Sequence, residues 1–124
     1  GLTGGKDPAC RGTIPWDKPE LWDQELLTFI RQSTALRHSQ PALRRGSYRT
    51  LYAQGQTYCF ERAYQDEELV VAFNSSTETV RFDLPIAGKQ LIPLFAQQLP
   101  CKIEHDYADM KLAPRSGVVW KVNK

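Results

Sequence analysis

The feature that most constrains this chain is a change of hydrophobic period. Up to Pro41 apolar residues recur at helical spacing; beyond it they alternate, in short runs rich in β-branched and aromatic residues. Eight such runs, 46–53, 57–63, 69–74, 79–84, 89–95, 101–105, 110–112 and 118–122, are expected as strands. Turn chemistry separates them: Gln54-Gly55-Gln56, Gln65-Asp66-Glu67, Asn74-Ser75-Ser76, Pro85 to Gly88, Gln97 to Pro100 and Pro114 to Gly117. Many short strands with no helices between them exclude a parallel sheet and predict an all-β unit, an antiparallel sandwich or barrel. In the third run Val70, Ala72 and Asn74 point one way and Leu69, Val71 and Phe73 the other, so that strand is expected to be central. Val118-Val119-Trp120-Lys121-Val122 reads the same way, as a closing strand.

Before the β-region, Trp22, Leu26, Phe29, Ile30, Ser33 and Leu36 form a helical stripe, with Leu27 and Thr34 widening it. A helix is predicted over 22–38, begun by Asp17-Lys18-Pro19-Glu20 or by Asp23. Basic Arg37 and His38 complement its last turn, and Pro41 stops it. The first seventeen residues hold four glycines, two prolines, Trp16 and an Asp7/Arg11 pair, which makes a shaped loop. A carboxylate and a guanidinium four residues apart serve equally to close a turn on each other or to hydrogen-bond a hydroxyl-rich ligand. The residues alone leave both readings open.

At 124 residues the chain is long enough to bury a core without metal or disulfide staples, and a 41% hydrophobic share fits a globular protein. Sixteen basic and fourteen acidic side chains are interspersed, with no run longer than Asp66-Glu67-Glu68, so no nucleic-acid footprint is expected. No apolar run approaches a membrane span, and the opening Gly-Leu-Thr-Gly-Gly lacks the regions of a signal peptide. Beginning without Met, inside the shaped loop, the chain reads as a piece of a longer protein. Cys10, Cys59 and Cys101 are far apart, as are His38 and His105, so neither metal nor cofactor is expected. An odd count suits reduced, cytoplasmic thiols, with Cys59 in the core and Cys10 the candidate for exposure.

Chemistry in the β-region is limited. Glu61, Glu78 and Asp83 are the carboxylates that could face one another across strands, though solvated strand faces account for them. Asn74-Ser75-Ser76 matches a glycosylation sequon but sits where a turn belongs. Tyr48, Tyr52, Tyr58, Tyr64 and Tyr107 could stack on sugars or simply pack across strands.

The run Gly4-Gly5-Lys6-Asp7-Pro8-Ala9-Cys10-Arg11, then Ile14-Pro15-Trp16-Asp17, then Leu26-Leu27-Thr28-Phe29-Ile30-Arg31 through Ala35-Leu36-Arg37-His38 to Pro41-Ala42-Leu43, resembles the end of the catalytic barrel in alpha-amylase-type enzymes of glycoside hydrolase family 13. The nearest branch is neopullulanase, maltogenic amylase and cyclomaltodextrinase. The resemblance implies a (β/α)8 barrel ending in the 22–38 helix within residues 1–43, followed by an antiparallel β-sandwich of the alpha-amylase C-terminal type over 44–124. It implies a retaining mechanism whose aspartate nucleophile, glutamate acid/base and second aspartate lie earlier in the parent, so this stretch alone is expected to be inactive. It assigns Asp7 and Arg11 to substrate contact at the donor side of the cleft, with an α-glucan or cyclodextrin as substrate. The alternative is an independent starch-binding module. Separated from its barrel, the helix from Trp22 to His38 is expected to self-associate or to be covered by the loop folded back on it.

Overall fold

The computed structural model describes residues 4–95 and 98–124. The chain divides into two compact units, Gly1–Ala35 and Leu36–Lys124.

In the first unit two single 3-10 turns, Ala9–Arg11 and Pro19–Leu21, precede helix α1, Gln24–Ser39, whose last four residues belong to the second. The helix starts later than the stripe suggests. Pro19 opens the 3-10 turn, and Trp22 is then extended (φ −80°, ψ 138°) with its indole N–H donating to the Pro15 carbonyl at 2.8 Å. Asp23 is the cap: its Oδ1 accepts from the Leu26 N–H at 2.9 Å and its carbonyl from the Leu27 N–H at 3.0 Å. Arg37 and His38 fill the last turn as expected.

Pro41 ends α1 but also starts a helix that the sequence reading did not anticipate, α2, Ala42–Arg45. Proline is accommodated at a helix start because the N–H it lacks would have no partner there. The Ala42 N–H donates to Glu67 Oε2 at 2.6 Å, a carboxylate at the positive end of the turn. The next residue has to be glycine. A Cβ on Gly46 would sit 2.5 Å from the Ala42 carbonyl oxygen and 3.0 Å from that of Ala63.

All eight expected strands are present: β1 Ser47–Gln54, β2 Thr57–Tyr64, β3 Glu67–Asn74, β4 Val80–Pro85, β5 Gln90–Phe95, β6 Cys101–Glu104, β7 Tyr107–Leu112 and β8 Ser116–Asn123. They form one antiparallel sheet in the order β1-β2-β3-β8-β5-β6-β7-β4, so β3 and β8 are interior strands, as their two-sided apolar pattern requires. The sheet folds over on itself. Cys59, Val70, Ala72, Val118, Trp120 and Val122 from one layer meet Leu84, Ile103, Ala108, Met110 and Leu112 from the other in a single core. Tyr52 of β1 stacks on Phe82 of β4, ring centroids 4.2 Å apart, which brings the two ends of the strand order together. On the opposite face of β3, Leu69 and Val71 are buried too, and α2 packs against β2 and β3.

Most strand limits shift by one or two residues from expectation, and the turn between β6 and β7 moves furthest. β6 stops at Glu104 and β7 starts at Tyr107 because His105 (φ 51°) and Asp106 (φ 64°) make a two-residue turn with both residues in the left-handed region. No glycine marks it; the Asp106 carbonyl accepts from the Ile86 N–H at 2.9 Å, which helps hold it. The Asn74-Ser75-Ser76 turn is as read, and Asn74 knits it together. Asn74 Nδ2 donates to the carbonyls of Glu78 (2.8 Å) and Ala113 (2.9 Å), while Oδ1 accepts from the Ser76 N–H (3.0 Å) and hydroxyl (2.7 Å). At 1% exposure that side chain is closed to glycosylation in the folded protein. No helix among the described residues is long and apolar enough to cross a membrane.

Candidate functional site

The loop brings Asp7 and Arg11 together. Hydrogen bonds from the Ala9 N–H to Lys6 O (2.8 Å) and from the Arg11 N–H to Pro8 O (2.9 Å) wind one 3-10 turn. That places the guanidinium fork on the carboxylate, Arg11 Nε to Asp7 Oδ1 at 2.8 Å and Nη2 to Oδ2 at 3.1 Å. Their side chains are 76% and 61% exposed respectively, so water screens the pair and its net worth to folding is about 0–1 kcal/mol. It shapes the turn more than it stabilises the protein. Each group keeps further hydrogen-bonding capacity toward solvent, the carboxylate as acceptor and the guanidinium as donor.

Behind this turn the loop folds onto the start of α1. Trp16 meets Trp22 edge to face, centroids 5.8 Å apart and planes at 86°, and Trp22 is tethered through Pro15. Ile14, Trp16, Leu21, Trp22, Leu26 and Ile30 line an apolar cleft of about 340 Å³. No residue of α1 is fully buried: Leu26, Phe29 and Ile30 remain 43%, 52% and 51% exposed. The stripe expected to be packed is thus only partly covered by the loop.

The three sandwich carboxylates singled out in the sequence have different neighbours. Glu61 is buried against Arg49 (2.5 Å) and neighbours Glu68, whose pKa is raised first by burial and then by Glu61, against the pull of Lys124 at 3.2 Å. Asp83 faces Asp109 across β4 and β7. Glu78 contributes its backbone carbonyl to the Asn74 turn. Among the described residues no three His, Cys, Asp or Glu side chains gather as a metal site would require.

The tyrosines separate. Tyr48 and Tyr58 share a hydrogen bond between their hydroxyls, and Tyr48 stacks on Phe60 at 5.0 Å, with Phe73 at 6.3 Å beyond it. This hydrogen bond raises the Tyr48 pKa, whereas Thr50, 3.0 Å from the Tyr58 hydroxyl, lowers that of Tyr58. A register shift between Thr50 and Tyr52 turns Tyr52 inward onto Phe82, although simple alternation would put it beside Tyr48. Tyr64 lies under Arg45, 5.6 Å from the guanidinium carbon, and Tyr107 is exposed on β7. Cys10 is exposed and Cys59 buried, as read; burial pushes the Cys59 thiol up to about 12 and raises Cys101 as well.

The described residues fold as an antiparallel β-sandwich preceded in sequence by a loop and one long helix. The alpha-amylase C-terminal domain family matches residues 46–115, more than half of the chain, and the chain belongs to that family. A cyclomaltodextrinase of Geobacillus thermopakistaniensis (strain MAS1) is 38% identical over 98 residues, covering 76% of this chain and 16% of the relative. Among solved structures, an Anoxybacillus alpha-amylase superposes with a TM-score of 0.86 at 28% identity, over 99% of this chain and 27% of that one. The debranching enzyme of Nostoc punctiforme does so with a TM-score of 0.75 at 32% identity, over 94% and 25%. The chain therefore spans about a sixth of the length of the cyclomaltodextrinases it matches and less of the amylopullulanases.

Proposed function

We propose that residues 1–43 are the end of a catalytic barrel and 44–124 its C-terminal β-sandwich, in an enzyme hydrolysing α-glucans or cyclodextrins. The observation that carries this reading is the extent of the likeness: the family match covers only 46–115, but the resemblance to the Anoxybacillus alpha-amylase takes in 99% of the chain, loop and α1 included. The sandwich chiefly supports the barrel. Asp7 and Arg11, already aligned by the 3-10 turn, contact a glucose unit at the donor side of the cleft: the carboxylate accepts from a sugar hydroxyl while the guanidinium donates to another. The half-exposed stripe of α1 is the face the rest of the barrel covers. When the chain is isolated, a second copy covers it through the same helix. A cytoplasmic location is part of this reading, supported by three free thiols, and cell fractionation tests it.

The test uses the enzyme that carries this region. Asp7→Ala or Arg11→Ala removes charge-assisted hydrogen bonds worth about 1.5–3 kcal/mol each, so activity should fall about ten- to hundredfold. The loss should grow as longer maltodextrins fill the donor side. Unchanged kinetics on maltotriose and maltoheptaose would remove the ligand role.

A further inference from the structure

The strand order leaves β4, Val80–Pro85, at one end of the sheet, and a contact just beyond it shows which of its backbone groups are free. The Ile86 N–H donates to the Asp106 carbonyl at 2.9 Å, one pair past Pro85 opposite Tyr107. Hydrogen-bonded and non-hydrogen-bonded pairs alternate along an antiparallel ladder. Val80, Phe82 and Leu84 therefore direct their N–H and C=O groups to β7, while Arg81 and Asp83 turn theirs to the open edge. Two observations agree. The Cys101 thiol donates to the carbonyl of Asp109, opposite Asp83, at 3.3 Å, so that carbonyl points away from β4. Pro85, which has no N–H, falls at an edge-facing position, where proline removes no ladder bond. β1 comes near through Tyr52 on Phe82, but among the described residues no hydrogen bond joins the two strands.

An open edge is a template for another strand, and charged side chains commonly blunt it. Charges of one sign would do so here. Arg81 and Asp83 instead carry opposite signs, one residue to either side of Phe82, and both are exposed. Within the chain they are mismatched: β7 sets Lys111 opposite Arg81 and Asp109 opposite Asp83, like against like. Neither Arg81 nor Asp83 makes an ion pair among the described residues.

A second β4, turned antiparallel about Phe82, removes the mismatch. Arg81 of each copy then lies opposite Asp83 of the other, on one face of the joined sheet, and these are the residues whose backbone groups are free. Each such pair exchanges both of its N–H···O=C bonds, and the arrangement closes on a two-fold axis. Centring the pair on Arg81 or on Asp83 would set like charges together, so the register is specified.

We propose that the β4 edge is a self-recognition site, through which two copies of this chain pair antiparallel about Phe82 with Arg81 of each against Asp83 of the other. The interface is separate from α1 and does not rest on the function proposed above. A strand pair buries little surface, so the dimer is weak and is read at high protein concentration.

The test is sedimentation and amide exchange by NMR on the 124-residue chain carrying Ile30→Asp, which removes association through α1. This chain should dimerise, and its Arg81 and Asp83 amide protons should exchange more slowly as concentration rises. That readout is local to β4, so association elsewhere on the chain does not imitate it. Arg81→Asp and Asp83→Arg, both on the exposed face, should leave the circular dichroism of the sandwich intact and each weaken dimerisation about tenfold. Mixed in equal amounts, these two variants should pair with each other, since one then carries acids and the other bases at the matching places. The double variant with both changes should recover the parent's affinity. A chain that stays monomeric at all concentrations, amide exchange at Arg81 and Asp83 indifferent to concentration, or single variants that dimerise as well as the parent would each overturn the proposal. So would a mixture of the two variants that fails to pair while the parent dimer forms.

Discussion

Replacing Asn74 tests how the sandwich is tied together at one end. Its amide makes four hydrogen bonds within 3.0 Å, two donated to the carbonyls of Glu78 and Ala113 and two accepted from the Ser76 backbone and hydroxyl. These join the end of β3 to the segment entering β4 and to the turn between β7 and β8. Each bond is worth about 0.5–1.5 kcal/mol net, and a buried group stranded by loss of its partner costs more. Ser76 Oγ also reaches the Glu78 carbonyl at 3.0 Å and softens part of that loss. Asn74→Ala should therefore cost about 3–5 kcal/mol, a large share of the 5–15 kcal/mol that holds a domain.

Asn74→Asp separates hydrogen bonding from shape. It keeps the acceptor for Ser76 but sets a carboxylate oxygen where the amide faced two carbonyls at 2.8 and 2.9 Å. The new carboxyl would have a folded pKa raised above its unfolded value of about 3.9. Its contribution is thus favourable below that pH and is lost as pH rises through the folded value. Urea unfolding followed by Trp120 near-UV circular dichroism should show Asn74→Asp at least as destabilised as Asn74→Ala at pH 7, and recovering toward pH 3.5. An Asn74→Ala cost under about 1 kcal/mol with an unchanged m-value would refute the reasoning.

Glu68 is held with a raised pKa by burial and Glu61, so its ionisation works against folding as pH rises above the ordinary carboxylate value of 4.5. Glu68→Gln should be at least as stable as the parent at pH 7, with the difference gone at pH 4, by urea titration at both values. Thiol labelling at pH 8 should modify Cys10 at once, Cys101 more slowly and Cys59 only on unfolding; because the Cys59 pKa of about 12 exceeds its unfolded value, stability falls as pH rises from 9 toward 12. Sedimentation of the isolated chain at several concentrations should show self-association that Leu26→Asp or Ile30→Asp weakens, with the β-sheet circular dichroism signal intact; monomer at all concentrations would refute it.

The strands were legible because two-sided burial fixes the period. A central strand such as β3 must be apolar on both faces, and its neighbours must alternate to match. What escaped were departures from period that cost no apolar residue. The bulge after Thr50 moves Tyr52 into the core without altering composition, and the His105-Asp106 turn uses left-handed backbone without a glycine. α2 was hidden behind Pro41, which signals a helix end and a helix start alike. At the loop, the sequence showed Asp7 and Arg11 within reach of each other but not whether they would meet.

The two units also differ in how far their own residues satisfy them, and this bears on which surface does what. In the sandwich, Leu84, Leu91, Met110, Leu112 and Val118 are essentially removed from water without any outside contribution. At about 1.5–3 kcal/mol for each large side chain, those five supply on the order of 10 kcal/mol toward offsetting chain entropy. The helix α1 has the same kinds of residue at helical spacing, yet none is fully buried. A helix of this length is marginal in water unless an apolar face is packed, so α1 has the sequence of an interface and the exposure of one left open. Asp7 and Arg11 sit in the unit with that open face, ahead of a helix that needs a partner. On the function proposed above, sugar contact by Asp7 and Arg11 should therefore be lost in the isolated chain while its β-sandwich stays folded.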